Sequence, residues 1–235
     1  MKQLQQITFA TLMALGLSAC GGGGSNTNQE TPTEIVHNGT TYGTVTSPFT
    51  DKVWLDRNLG AARVCETFDD EACYGDYYQW GRNFDGHQDS LSGTTIVQGI
   101  NDEDVGHGDF IIKSEDWVAA LGSGNRRVLN WSKTDGSSVC PIDFRVATLS
   151  EFQAELFGTV AIQNRDDAFS NFLKLPSSGI RKFSSGTLAK KGTRGEIWTS
   201  SSTSVRSRVI YFDSNNAISL SELRAQGYSV RCIKN

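Results

Sequence analysis

A chain of 235 residues that is 37% hydrophobic, with a net charge of −4 and a pI near 5.4, is long enough for one large domain or two small ones and carries no basic footprint for nucleic acid. The apolar fraction is low for a globular chain, while 24 Gly and five Trp argue against disorder. A modest core under many turns is expected, in one domain rather than two.

The chain opens on the Met1 amine and Lys2, followed by an apolar run from Ile7 to Leu17, the layout of a signal peptide. That run is about half of the roughly 20 residues a helix needs to cross a bilayer, so it reads as a segment that is cut away. Leu17-Ser18-Ala19-Cys20 resembles the lipobox of bacterial lipoproteins. The resemblance implies a signal peptide over residues 1–19 and diacylation of Cys20 as the new N-terminus. Each buried methylene contributes about 0.8 kcal/mol, and two or more chains anchor stably. Gly21 follows, where an aspartate would resemble an inner-membrane retention signal, so the outer membrane of a cell envelope is the expected destination, with the face left open. Ordinary secretion with cleavage nearby is the alternative, and it implies export too. Gly21 to Gly24 and the polar stretch after them read as a tether over residues 20–34, with the folded domain over residues 35–235.

With Cys20 carrying lipid, Cys65, Cys73, Cys140 and Cys232 remain, an even set that suits an oxidising compartment. Four cysteines allow three pairings, which spacing does not settle. The pairing favoured here is Cys65 with Cys73 and Cys140 with Cys232, for which chain entropy gives about 2.6 and 4.6 kcal/mol. Zinc is the rival reading, weakened by the absence of a CxxC pair and by remote histidines.

The β-prone runs at 41–46 and 52–55, separated by Ser47-Pro48, predict an opening hairpin. The aromatic stretch 74–81 has neither helical nor strand periodicity, and residues 83–108, rich in Gly, Asp and Ser, form the expected long loop. Thr148 with Glu151 three residues on reads as a capping box for a helix that places Phe152, Leu156 and Phe157 on one face. A second helix is expected from Arg165-Asp166, with Phe169, Phe172 and Leu173 on one face before Leu175-Pro176. Strand-like runs at 180–183, 196–199, 208–212 and 228–233 alternate with turns, an antiparallel pattern, and no solenoid-period repeat is present.

Val53-Trp54-Leu55-Asp56-Arg57-Asn58-Leu59-Gly60 resembles a motif of the Fibrobacter succinogenes major paralogous domain family. Cys73-Tyr74-Gly75-Asp76, Tyr78-Gln79-Trp80-Gly81-Arg82, Cys140-Pro141, Phe144-Arg145-Val146, Leu173-Lys174-Leu175-Pro176, Gly179-Ile180-Arg181, Trp198-Thr199-Ser200-Ser201 and Val230-Arg231-Cys232 follow in that family's order. Together they cover residues 42–233. The resemblance implies an α+β, C-type lectin-like fold: a small twisted antiparallel sheet, two short helices and a long irregular loop region. Asp143 stands where the family commonly has Gly, and Ala147 where it commonly has Pro, which puts the turn before Thr148 in question.

Three function classes follow. The first is a non-catalytic binding or interaction module, presenting its loops to a glycan, a peptide or an envelope protein. The Glu-Pro-Asn, Gln-Pro-Asp and Trp-Asn-Asp motifs of calcium-dependent lectins are absent, so no sugar-ligating calcium and no other cofactor is expected. The acidic sets Asp69-Asp70-Glu71 with Asp76, and Asp102-Glu103-Asp104 with Asp109, read as solvated loops rather than metal sites. His87 and His107, without identified partners, read as surface residues. The second class is an enzyme distantly similar to the formylglycine-generating enzymes, which use reactive cysteines; no catalytic residue is assigned, because these cysteines read as structural and no nucleophile elbow, phosphate loop or HExxH helix is present. The third is a purely structural envelope lipoprotein, with Trp54, Trp80, Trp117, Trp131 and Trp198 mostly in the core rather than lining a groove.

Overall fold

The computed structural model describes residues 34–102, 105–119 and 124–235. The expected lipid site Cys20, the expected signal peptide and nearly all of the expected tether lie outside these residues, as do Glu103 and Asp104.

The elements in chain order are β1 (Ile35–His37), β2 (Thr40–Tyr42), β3 (Thr44–Thr46), β4 (Val53–Leu55), β5 (Tyr78–Gln79), β6 (Thr94–Thr95), β7 (Phe110–Ile111), α1 (Asn125–Trp131), β8 (Phe144–Val146), α2 (Leu149–Leu156) and α3 (Arg165–Ser170). They continue with β9 (Ile180–Arg181), β10 (Leu188–Ala189), β11 (Gly195–Ser202), β12 (Ser207–Phe212), β13 (Ala217–Glu222), β14 (Gly227–Val230) and β15 (Cys232–Lys234), and a 3-10 turn spans Glu71–Cys73. The result is an α+β domain, mostly sheet, with a curled and largely antiparallel arrangement.

A seven-stranded sheet runs β10-β9-β14-β11-β12-β13 with β5 also on β14, and a four-stranded sheet runs β3-β4-β15-β8. Strands β14 and β15 are separated only by Arg231, so one extended stretch of chain belongs to both sheets. The expected run at 41–46 breaks at Gly43 into β2, paired with β1, and β3, paired with β4. A Cβ on Gly43 would stand 2.8 Å from an Asp56 carboxylate oxygen, so a larger residue at the break would have to move that side chain.

Several expectations are corrected. A third helix, α1, precedes the two expected; its N-cap is Gly124 with no side-chain cap bond, so no start signal marks it in the sequence. Helix α3 stops at Ser170 and does not carry Phe172 or Leu173, because Asn171 turns extended and its Oδ1 accepts the Leu173 N–H at 3.1 Å. Strand β13 completes a hairpin with β12 that was not foreseen, and β14 lies parallel, not antiparallel, to β11.

Helix α2 begins as predicted. Thr148 Oγ1 accepts the Glu151 N–H at 3.3 Å, and Glu151 Oε2 accepts the Thr148 N–H at 2.8 Å. The turn before it forms without proline: the Ala147 carbonyl accepts the Ser200 N–H at 2.8 Å. Asp143 takes φ +68°, a left-handed backbone that suits glycine and that Asp tolerates better than most residues.

The core lies in two main clusters. One gathers Trp80, Trp131, Trp198, Tyr78 and Tyr228, and the other packs α2 through Phe152 and Leu156 against Trp54, Ile197 and Ile210. All five tryptophans are fully buried, and each indole N–H has an acceptor, such as Thr199 O for Trp80 at 2.9 Å and Tyr78 O for Trp198 at 2.8 Å.

Candidate functional site

The irregular region from Asn83 onward contains few apolar residues to bury, yet it is folded, and arginines hold it. Arg181, fully buried at the end of β9, donates from Nη1 to His87 O at 3.0 Å and Asp89 O at 2.7 Å, and from Nη2 to Ser92 O at 2.7 Å. Arg82 reaches Asp109 O at 2.9 Å and His107 O at 2.7 Å, and pairs with Asp85 at 2.7 Å. Each guanidinium offers five donors in a rigid fork, so one side chain satisfies several loop carbonyls that no strand reaches. Arg127 and Asp116 form a buried bidentate pair at 2.7 and 2.6 Å that fastens α1 to the far end of this region.

His87 belongs to the same framework, and its expected surface position is wrong. It is fully buried, with Nδ1 2.6 Å from Asp85 Oδ1 and Nε2 accepting the Gln79 N–H at 3.0 Å. Burial, reinforced by the Arg82 and Arg181 cations against the pull of Asp85, lowers it to about 4, so the ring is neutral at physiological pH. Glycine-rich flanks suggested exposure; the arginine clamps reverse it. His107 is only partly buried, and its Nδ1 accepts the Asp109 N–H at 3.2 Å.

The loop framework closes a cavity of about 210 Å³ against the β1–β2 turn. The turn supplies His37, Asn38 and Thr40; the segment ending in the Leu59–Gly60 turn and the stretch following Gly75 supply Tyr42, Asp76 and Tyr78; and the irregular region supplies Phe84, Gln88 and Asp89. Two of the motifs named above meet here, for Asp76 N–H donates to Leu59 O at 2.9 Å. Gly60 has φ +76°, and a Cβ there would lie 2.3 Å from the Asp76 carboxyl carbon, so glycine is needed both for the turn and for the room the carboxylate occupies.

Burial, aided by the neighbouring Asp89 and opposed by a hydrogen bond from Tyr78, raises Asp76 to about 6. Its bond from the Tyr78 hydroxyl is 3.3 Å long. Among the described residues neither Asp76 nor Asp89 takes part in an ion pair. The Tyr42 hydroxyl accepts the Gly60 N–H at 2.8 Å, and burial holds both the Tyr42 and Tyr78 phenols above their usual range, so both keep a hydrogen to donate. Arg57 lies 5.2 Å over the Tyr42 ring but is committed to Asp56 at 3.2 Å and to the Thr41 carbonyl.

The remaining expected site residues fall elsewhere. Asp76 is drawn apart from its sequence neighbours: Asp70 pairs with Arg63 at 3.2 Å and caps the 3-10 turn, while Glu71 pairs with Lys191 at 2.8 Å. Asp102 pairs with Arg126 at 3.1 Å. Among the described residues no group of three or more His, Cys, Asp or Glu is placed to hold a metal ion. The cysteines come together as Cys65 with Cys73, Cα atoms 5.1 Å apart, and Cys140 with Cys232, 6.0 Å apart, both bridged. Tyr42, Phe84 and Gln88 were not singled out by sequence reasoning, because nothing local marks residues that meet only across long loops.

No family model, curated protein or solved structure matches the chain.

Proposed function

We propose that this chain is a lipid-anchored envelope protein whose single domain is a non-catalytic binding module. In this reading residues 35–235 are a Fibrobacter succinogenes major paralogous domain, a branch of the C-type lectin-like fold, and the irregular region serves as its ligand-facing side. The ordered motif series supports the family, and the lipobox-like Leu17-Ser18-Ala19-Cys20 supports the anchor and, with Gly21, outer-membrane delivery. The observation that carries the binding reading is the cavity at Asp76: an under-paired carboxylate is held in a small recess by loops that are themselves rigidly clamped. Preformed recesses with a few placed polar groups are the common form of a binding site.

A binding role is preferred to catalysis like that of the formylglycine-generating enzymes, because Cys65, Cys73, Cys140 and Cys232 stand in bridged pairs and not as free thiols. The partner class is a glycan, a peptide or an envelope protein. The anchor is tested by palmitate labelling and detergent partition of the expressed protein: both are expected for the natural chain and lost in Cys20→Ala, and their retention in that variant overturns the anchor. Binding is tested on the purified full chain with glycan and envelope-protein arrays, where capture lost in Asp76→Asn supports the reading and capture unaffected by it moves the site elsewhere.

A further inference from the structure

The cavity beside Asp76 has a more definite chemistry than a generic loop recess. Two carboxylates, Asp76 and Asp89, line it together with the Tyr42 and Tyr78 phenols, and Phe84, 44% exposed, stands among its lining residues. At about 210 Å³ it is below the roughly 300–1,000 Å³ of drug-sized sites, a size for one side-chain-sized group. We propose that this cavity captures a primary ammonium group on an aliphatic stem, the chemistry of a lysine side chain; the proposal rests on the binding-module reading above.

The charge is the first argument. Asp76 shares a small recess with the exposed Asp89, and among the described residues neither carboxylate is in an ion pair, though the buried Arg181 beside Asp89 offsets part of its charge. A positive guest relieves the repulsion that remains and gains two charged acceptors at once. The second is the aromatic lining. Phe84, well exposed, offers ring surface to methylenes and a cation–π contribution to the ammonium, while Tyr42 and Tyr78 line the cavity from nearly buried positions, with Arg57 already over the Tyr42 ring. The third is what the site excludes. Calcium takes about six to eight oxygen ligands, and among the described residues no metal-holding acidic cluster forms here. A guanidinium is broad and planar, whereas an ammonium is a compact point charge with three rotatable donors, the shape that better suits a recess of this size.

The test uses the full chain in detergent at pH 7.5, following the ¹⁵N amide shifts of Gly60 and Gln88 during titration. Four probes are compared: Nα-acetyl-lysine amide, its neutral isostere Nα-acetyl-norleucine amide, butane-1,4-diamine and methyl glucoside. Both amines are expected to move these amides, and the norleucine amide and the glucoside are not. Asp76→Asn and Asp89→Asn, each checked for native amide dispersion, should weaken amine binding roughly tenfold or more. Tighter binding of the acetyl-lysine amide than of the diamine assigns the natural ligand to a peptide, and the reverse order to a free polyamine. Equal binding of the lysine and norleucine amides, selective binding of the glucoside, or amine binding unchanged in both variants overturns the ammonium assignment and leaves a binding module standing. No shift with any probe removes the cavity as a site, and with it the observation on which the binding reading stands.

Discussion

Asp76 is a residue whose placement works against the fold and is therefore informative. Its carboxyl is lifted to about 6 by burial beside Asp89, which means that the folded state disfavours its ionised form. The sign follows from proton binding. Well below the unfolded value of about 3.9 the group is protonated in both folded and unfolded chains and costs nothing. As pH rises to about 6 the unfolded chain releases the proton first, stability falls, and the full cost is present above that. Beside burial, the groups that set this balance are Tyr78, whose hydrogen bond lowers the carboxyl, and Asp89, whose charge raises it. Asp76→Asn keeps an acceptor for the Tyr78 hydroxyl and removes the charge. It is expected to stabilise the protein by up to about 3 kcal/mol at pH 7.5 and by well under about 1 kcal/mol at pH 4. Urea melts of both proteins across that range check it, and a gain independent of pH would show that the charge is not the cause.

At the scale of elements, the capping box of α2 shows which sequence signals can be read directly. Thr148, Glu151 and Arg145 lie within a few residues of one another, and their bonds form wherever the chain turns helical. Burial pushes the Glu151 carboxyl up, but the bidentate Arg145 bonds at 2.9 and 2.6 Å and the Thr148 amide outweigh it and hold it at about 2. Thr148→Ala is expected to cost about 1 kcal/mol, seen as a lower urea midpoint with an unchanged slope. Local signals of this kind made α2, most strands and the long loop legible. Helix α1 has no side-chain N-cap bond, the parallel β11–β14 pairing depends on how distant strands meet, and β13 offers only Ile218 and Leu220 as large apolar residues. The site was legible only in part, since Asp76 was singled out for the wrong company. Its real neighbours Tyr42, Phe84 and Asp89 come from two separate stretches, the second held by arginine clamps that leave no trace in local patterning.

At the scale of the whole molecule, stability rests on how the terminal strand is tied in. Strand β15 sits between β4 and β8, and Cys232 on it is opposite Val146. Its disulfide to Cys140, 92 residues earlier, joins the approach to β8 to the last strand inside the main core, where both cysteines are fully buried. The Cys65–Cys73 bridge closes a separation of only 8 residues, in a small satellite cluster with Tyr74. A cross-link restricts the unfolded chain more as its loop lengthens, by about 2.6 kcal/mol for the short loop and about 4.6 kcal/mol for the long one. Local packing points the same way, because the long bridge fills the core and the short one lies at its margin. Replacing Cys140 and Cys232 together by Ala is therefore expected to destabilise the protein by roughly 2 kcal/mol more than replacing Cys65 and Cys73 together. Equilibrium urea unfolding of the two double variants measures the difference directly. A loss from the Cys65/Cys73 variant equal to or greater than that from the Cys140/Cys232 variant would mean that the acidic loop, and not the shared terminal strand, is the part of the fold that the disulfides chiefly secure.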